Sequence, residues 1–112
     1  MLLLIHKPAT TEQIAEMAKD YDGYIKVVVD IARGVATGGG KMHVDGEQAL
    51  LADGSQQQDL WGGGIDWETK EVDYNSMINL RPRDENPSRE ILSSEIRKKF
   101  DAIVQKIFFS LP

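Results

Sequence analysis

The spacing of hydrophobic positions changes several times along the chain. Short apolar runs and strict alternation are typical of strands, whereas apolar residues three and four positions apart are typical of a helix face. Strands are predicted at 2–5, at 24–31 with an extension to 37, at 58–65 and at 70–81. Helices are predicted after Thr10 or Thr11, over about 42–52, and after Ser93 or Ser94.

Capping residues support these helices. Thr10 and Gln13 have the spacing of a capping box, and Gly23 and Gly54 are suited to end the first two helices. The predicted order is β-α-β-(β)-α-β-β-α. It indicates one compact α+β domain over residues 1–112, with a mostly antiparallel four- or five-stranded sheet and three helices packed on one face of it.

Composition narrows the class of protein. The 112 residues are 41% hydrophobic and 28% charged, as in ordinary globular domains. The absence of cysteine excludes disulfides, Cys-ligated metals and thiol catalysis. The net charge of −5 argues against nonspecific nucleic-acid binding. The apolar run at 2–5 is too short for a signal peptide and no stretch could span a membrane, so a soluble, cytoplasmic protein is expected.

A glycine run separates the second strand from the second helix. This layout suits an anion, because glycines allow close approach and helix N-termini present free N–H groups, so Gly39 and Gly40 are candidate ligand-binding residues. The run matches neither the P-loop nor the dinucleotide pattern, since Met42 follows Lys41 and His43 replaces the third glycine. A tight turn with positive φ is the alternative interpretation.

Three side chains able to bind metal follow, as His43-x-Asp45-x-Glu47. On a helix only His43 and Glu47 share a face, and two ligands make a poor zinc site. They are weak metal candidates, and no cofactor is identified. Acid/base chemistry, or capping by Asp45 with a solvated helix face, are the other interpretations.

The predicted strand at 70–81 alternates polar and apolar residues. Asn75, Asn79 and Arg81 fall on its polar face, where amides and a guanidinium could bind a carboxylate, a phosphate or a sugar. The alternative is the solvated face of an antiparallel sheet.

Three further features concern packing. Asp30 lies inside an apolar run and needs a partner if it is buried, for which Arg33, Arg81 and His43 are candidates. The glycines at 62–64 indicate a bulge or a group packed against the backbone. An apolar tail docks either into its own core or onto a second subunit, and a homodimer is expected; the tail consists of Phe108, Phe109 and Leu111.

Four sequence segments resemble those of a known family. They are GGKMHVDGE at 39–47, LLADGSQ at 50–56, LWG at 60–62 and SMINLRP at 76–82. With them the chain resembles, over about residues 1–108, a family of small uncharacterised bacterial proteins that is frequent in cyanobacteria, of the domain-of-unknown-function type. The resemblance implies no activity and no cofactor.

Two functions remain open. One is a binding or interaction domain for a small anionic or polar ligand, held by the glycine turn and His43 with Asn79 and Arg81. The other is a small hydrolase or transferase. In it His43 would be the general base, Asp45 or Glu47 would orient it or hold a metal, and Arg81 would stabilise negative charge. The second function requires His43, Glu47 and Arg81 to meet in one cleft.

Overall fold

The computed structural model describes residues 1–110 and contains five strands and three α-helices. The strands are β1 (Leu3–Ile5), β2 (Tyr24–Asp30), β3 (Val35–Gly38), β4 (Leu60–Asp66) and β5 (Glu71–Asp73). The helices are α1 (Thr11–Ala18), α2 (His43–Ala52) and α3 (Ser94–Phe108). Short 3₁₀ turns occupy Lys19–Tyr21, Gln57–Asp59, Met77–Asn79 and Pro82–Asp84. The predicted α+β class and the predicted order of elements are confirmed.

The strands form one antiparallel sheet in the order β1-β3-β2-β4-β5. The long strands β2 and β4 pair along their whole length, from Tyr24 opposite Asp66 to Asp30 opposite Leu60. Val28 therefore faces Gly62, and Lys26 faces Gly64. This pairing sets the position of the candidate site described below.

Both faces of the sheet are covered, which differs from the prediction that all helices pack on one face. Val27 and Val29 face α1 and α3, in a core that includes Met17 and Phe100. The intervening Val28 faces α2, in a second core cluster with Leu50. Val27 to Asp30 of β2 are all buried. A strand that is covered on both faces has a continuous apolar run instead of an alternating pattern, and β2 has such a run.

Local signals place the helix ends. The Thr10 hydroxyl accepts a hydrogen bond from the Gln13 N–H, and the Gln13 side chain accepts one from the Thr10 N–H. The Ser93 hydroxyl accepts from the Ile96 N–H at the start of α3. Gly54 follows α2 with φ +104°, a conformation that side-chain-bearing residues rarely adopt. The capping box and the glycine stop predicted from the sequence are confirmed.

The prediction of one strand over 70–81 is wrong. β5 ends at Asp73, whose carboxylate accepts a hydrogen bond from the Asn75 N–H and so turns the chain. The Ser76 side chain then caps the 3₁₀ turn Met77–Asn79. As a result Asn79 is buried and Leu80 is 44% exposed, the reverse of their predicted orientations.

The C-terminal aromatic residues dock into the same chain. Phe108 is fully buried, and the Phe109 ring stacks on Trp67 with 5.4 Å between ring centroids. Leu111 lies outside the described residues. Among those residues, no helix is both long and apolar enough to cross a membrane.

Candidate functional site

A run of three glycines in β4 allows residues that line a cleft to pack directly on the backbone. A Cβ atom added to Gly64 would lie 1.8 Å from the Tyr24 hydroxyl, and one added to Gly62 would lie 2.7 Å from the Ser76 hydroxyl. On the other face, a Cβ on Gly63 would lie 2.2 Å from the Asp73 carbonyl oxygen. The predicted close packing against this backbone is confirmed, and it explains why these positions have no side chains.

The cleft lined by Tyr24 and Ser76, which pack on Gly64 and Gly62, has a volume of about 460 Å³. Residues from four parts of the chain surround it: strand β2, the start of α2, the end of β5 with the segment after it, and the segment before α3. They are Tyr24, Lys26, His43, Asp73, Asn75, Ser76, Met77, Arg89 and Glu90. Sequence reasoning identified only His43 and Asn75 among them as site residues.

His43 is fixed in the cleft by the glycine strand. Its Nε2 lies 2.7 Å from the Gly63 carbonyl oxygen. A carbonyl oxygen can only accept, so Nε2 carries the proton and Nδ1 of the neutral ring holds a lone pair. Nδ1 has no hydrogen-bond partner in residues 1–110 and is not among their fully buried unpartnered atoms. It is therefore open to an incoming donor.

The environment keeps His43 neutral. Burial lowers the pKa of the imidazole, and the positive charge of Lys26 lowers it further. The Gly63 hydrogen bond and the charge of Asp73 act in the opposite direction but do not prevail. His43 is also the first residue of α2, where the helix dipole disfavours a cation. At neutral pH the ring is an acceptor and a base.

A phenol and a carboxylate form the opposite part of the cleft. The Tyr24 hydroxyl donates to Asp73 Oδ2 at 2.6 Å, while Asp73 Oδ1 accepts from the Asn75 N–H. Burial, together with this hydrogen bond, raises the pKa of Tyr24 well above its ordinary value. The phenol keeps its proton, and both oxygens of Asp73 are engaged within the protein.

The charges of the cleft are only partly balanced. Asp73 accepts the two hydrogen bonds just described, and Glu90 lies 3.6 Å from an Arg97 nitrogen. The Lys26 ammonium instead donates to the Lys41 carbonyl oxygen, and neither Lys26 nor Arg89 lies within 4.0 Å of a carboxylate oxygen in residues 1–110. Lys26 and Arg89 thus lack an ion-pair partner within the described chain, and so does Asp73, because its two hydrogen-bond donors are neutral.

The glycine turn does not contribute to this cleft. Gly39 and Gly40 have positive φ angles, as the tight-turn interpretation requires. The Gly40 N–H donates to the Asp20 carboxylate at 2.6 Å, and the Gly39 N–H donates to the Lys26 carbonyl. A carboxylate of the chain itself therefore occupies the position expected for a bound anion.

The two asparagines of the predicted polar row have different environments. Asn75 is exposed and lines the cleft. Asn79 is fully buried and its amide is engaged by backbone. It accepts from the Gly62 N–H and donates to three carbonyl oxygens, those of Gly62, Tyr74 and Arg89. Asn79 joins β4 to the two segments that border the cleft.

Arg81 lies away from His43. Its guanidinium stacks on the Trp61 ring at 3.8 Å and donates to the carbonyl oxygens of Gln57 and Leu60. Burial lowers the pKa of this guanidinium. Arg81 borders a separate surface depression next to Pro82 and does not line the His43 cleft.

The acidic residues of α2 also lie outside the cleft lining. Asp45 is exposed in the first turn of α2, and Glu47 is buried next to the Gln57 amide, at 3.5 Å. The structure therefore does not bring His43, Glu47 and Arg81 into one cleft. Within residues 1–110 no group of three or more His, Asp or Glu side chains is placed to hold a metal ion.

Asp30 belongs to a separate polar network at the end of β2. Its carboxylate is fully buried and accepts from the N–H groups of Ala32 and Arg33 and from the Ser55 hydroxyl. The Arg33 guanidinium lies 4.0 Å from Asp30 and continues the network to Asp53. Of the partners suggested by the sequence, Arg33 is the one found here.

The principal residues that the sequence analysis missed are Tyr24, Lys26, Asp73 and Arg89. Tyr24 and Lys26 are two positions apart in β2, so they share a face with Val28, opposite the glycines of β4. The polar–apolar alternation at the start of β2 could have revealed them. Asp73 and Arg89 approach the cleft only through tertiary folding.

Comparison with known proteins gives a family and no activity. Residues 3–107 match the family described as "Protein of unknown function (DUF5674)". No curated protein matches the chain, and no solved structure does. The resemblance to a domain-of-unknown-function family is confirmed, and the chain belongs to the DUF5674 family of proteins of unknown function.

Proposed function

We propose that the protein binds a small anionic or polar ligand in the His43 cleft. The observation that carries this proposal is the pairing, in one cleft, of an open imidazole acceptor with a lysine that has no carboxylate partner within residues 1–110. In this arrangement Lys26 and Arg89 balance the negative charge of the ligand. His43 Nδ1 accepts a hydrogen bond from a hydroxyl group of the ligand, or from a water molecule that bridges to its carboxylate.

The cleft is preorganised for this role. Tyr24 and Lys26 belong to the paired strand β2. Three polar groups of the cleft are held by short hydrogen bonds to other parts of the protein: His43 at 2.7 Å, Lys26 at 2.7 Å and Tyr24 at 2.6 Å. Groups fixed before binding lose little freedom when a ligand arrives, which favours affinity. The exposed amide of Asn75 adds a donor and an acceptor at the rim.

Calorimetric titration with phosphate and acetate at constant ionic strength tests the proposal. The informative variant is Lys26→Met, which removes the charge and keeps most of the side-chain length. The matched control is Lys41→Met, because the exposed Lys41 does not line the cleft. We expect Lys26→Met to weaken binding by about tenfold or more, since a hydrogen bond to a charged group contributes roughly 1.5–3 kcal/mol.

Two results would overturn the proposal. One is that neither phosphate nor any carboxylate, including the longer ones tested below, binds saturably to the wild-type protein. The other is that Lys26→Met and Lys41→Met bind both anions equally well, because the charge at the cleft would then be irrelevant.

A second proposed function is hydrolysis or group transfer with His43 as general base. It is favoured by the same neutral ring, whose Nε2–H is held by a carbonyl while Nδ1 remains open to take a proton. Arg81, Asp45 and Glu47 have no part in this version. The test compares hydrolysis of p-nitrophenyl acetate by wild type, His43→Ala and His6→Ala. A rate lost only in His43→Ala supports it, and equal rates in all three contradict it.

A further inference from the structure

A small apolar pocket adjoins the polar cleft. It has a volume of about 160 Å³ and shares Lys26, His43 and Met77 with the cleft. Its other walls are Met42, Val44 and Ile78. The two cavities are therefore neighbours that meet at Lys26, His43 and Met77, and we call them the charged half and the apolar half of the site.

The apolar half presents large hydrophobic side chains to solvent. Met42 and Met77 are each 58% exposed, and Val44 is 40% exposed. Three of the seven exposed large hydrophobic residues of the described chain thus surround one pocket. Methionine side chains are unbranched and adapt to the shape of an apolar group. Clustered exposure of this kind, bordered by polar residues, marks a binding surface.

We infer that the ligand is amphipathic, a carboxylate with a short alkyl chain. This inference rests on the proposed function and adds the chemical class of the ligand. The carboxylate lies near Lys26, which has no carboxylate partner in residues 1–110. The chain covers Met42, Val44 and Met77 in the adjoining pocket. Charge complementarity therefore places the carboxylate in the charged half and the alkyl chain in the apolar half.

The pocket volume limits the length of the alkyl chain. At about 30 Å³ per water-sized group, 160 Å³ holds about five heavy atoms. Five carbons beyond the carboxyl carbon correspond to hexanoate. Each methylene removed from water increases affinity by about fourfold, at about 0.8 kcal/mol for a buried CH₂. Affinity should rise steeply from acetate to hexanoate and level off at octanoate.

The experiment is a calorimetric series with acetate, butanoate, hexanoate and octanoate, each below its micelle concentration and at one ionic strength. Hexylamine serves as the probe with the same chain and the opposite charge. Met77→Ser is the informative variant. Leu92→Ser is the control, because Leu92 is 54% exposed but borders a different cavity, next to Trp61. We expect Met77→Ser to reduce the gain per methylene, and Leu92→Ser to leave it at about fourfold.

Each other outcome is decisive. Saturable acetate binding without any dependence on chain length overturns the amphipathic ligand and leaves the proposed function standing. Absence of binding by phosphate and by every carboxylate overturns the proposed function itself. Equal binding of hexylamine and hexanoate, or an unchanged chain-length effect in Met77→Ser, overturns the assignment of the two halves.

Discussion

His43 Nε2 donates a hydrogen bond to the Gly63 carbonyl oxygen at 2.7 Å, so the middle glycine of β4 fixes the first side chain of α2. This contact crosses from a helix to the sheet and sets the protonation of the ring. The acceptor function that we propose for Nδ1 depends on it, because a ring held through Nδ1 would carry its lone pair on Nε2 instead.

The first prediction concerns the titration of His43. Burial lowers its pKa in the folded protein, so we expect the ring to titrate below 6.5, the ordinary value for histidine, and to carry its proton on Nε2. Heteronuclear NMR of the imidazole nitrogens across the pH range measures both properties. A His43 ring protonated at neutral pH, or a neutral ring with its proton on Nδ1, would contradict the account.

The same shift predicts how stability depends on pH. Between the lowered folded-state pKa of His43 and its ordinary value, the unfolded chain binds more protons than the folded chain. The contribution of His43 to stability is therefore complete above pH 6.5 and decreases as the pH falls towards the folded-state pKa. Urea unfolding of wild type and His43→Asn at several pH values measures it. A variant with the wild-type pH slope in this window would speak against a neutral His43.

The close packing of Tyr24 on Gly64 predicts that a side chain at position 64 destabilises the protein. In Gly64→Ala the new methyl group would lie 1.8 Å from the Tyr24 hydroxyl, so the phenol must move away from Asp73. We expect a loss of about 1–3 kcal/mol in the free energy of unfolding, as for other overpacked sites. In Tyr24→Ala the same glycine substitution should cost clearly less. A double-mutant cycle by chemical denaturation measures the difference, and equal costs in both backgrounds would exclude this clash.

Asn75 and Asn79 provide a matched pair for stability. Removing the amide in Asn79→Ala leaves the Gly62 N–H and C=O groups without that partner, whereas the Tyr74 and Arg89 carbonyl groups keep their backbone donors. Each buried unsatisfied group costs about 1–3 kcal/mol, so we expect a total loss of about 2 kcal/mol or more. Asn75→Ala removes an exposed side chain and should change stability by less than about 0.5 kcal/mol. Similar unfolding midpoints for the two variants would refute this distinction.

The polar network at the end of β2 predicts a different contrast. Asp30→Ala removes a fully buried carboxylate and leaves Ser55, Arg33 and two backbone N–H groups without its oxygens. The expected loss of unfolding free energy is about 3 kcal/mol or more, because two backbone N–H groups and the Ser55 hydroxyl lose a buried acceptor at about 1–3 kcal/mol each, whereas Arg33 keeps Asp53 as its partner. The control is Asp53→Ala, at the exposed end of the network, for which a loss below about 1 kcal/mol is expected. Guanidinium unfolding of both variants makes the comparison.

The sequence predicted elements well where a local rule decides them. The capping box at Thr10, the apolar face of α3 and the glycine after α2 each depend on residues a few positions apart. The prediction of a strand at 70–81 was wrong because the alternation of polar and apolar residues continues beyond Asp73, where β5 ends. Asp73 bends the chain through a bond to the Asn75 N–H, and a buried Asn79 then replaces sheet pairing. Neither effect is visible in a periodic pattern.

The candidate site was predicted only in part for a related reason. The sequence identified His43 as a candidate because it is a titratable residue that follows a glycine run. Its partner is the Gly63 carbonyl group of β4 and not Asp45 or Glu47. Every residue has a backbone carbonyl group, so the sequence cannot show which one accepts this bond. Lys26 lies on the polar side of the alternation at the start of β2, and its proposed role arises because the fold places it beside His43 in one cleft.

The central claim, that the His43 cleft binds a small anion, is tested most directly by amide NMR spectra of the isotope-labelled protein during titration with hexanoate. The account predicts saturable shifts centred on His43, Gly63, Asn75 and Met77, and their loss in Lys26→Met. Shifts centred on Gly39 and Gly40, or no saturable shift anywhere, would contradict it.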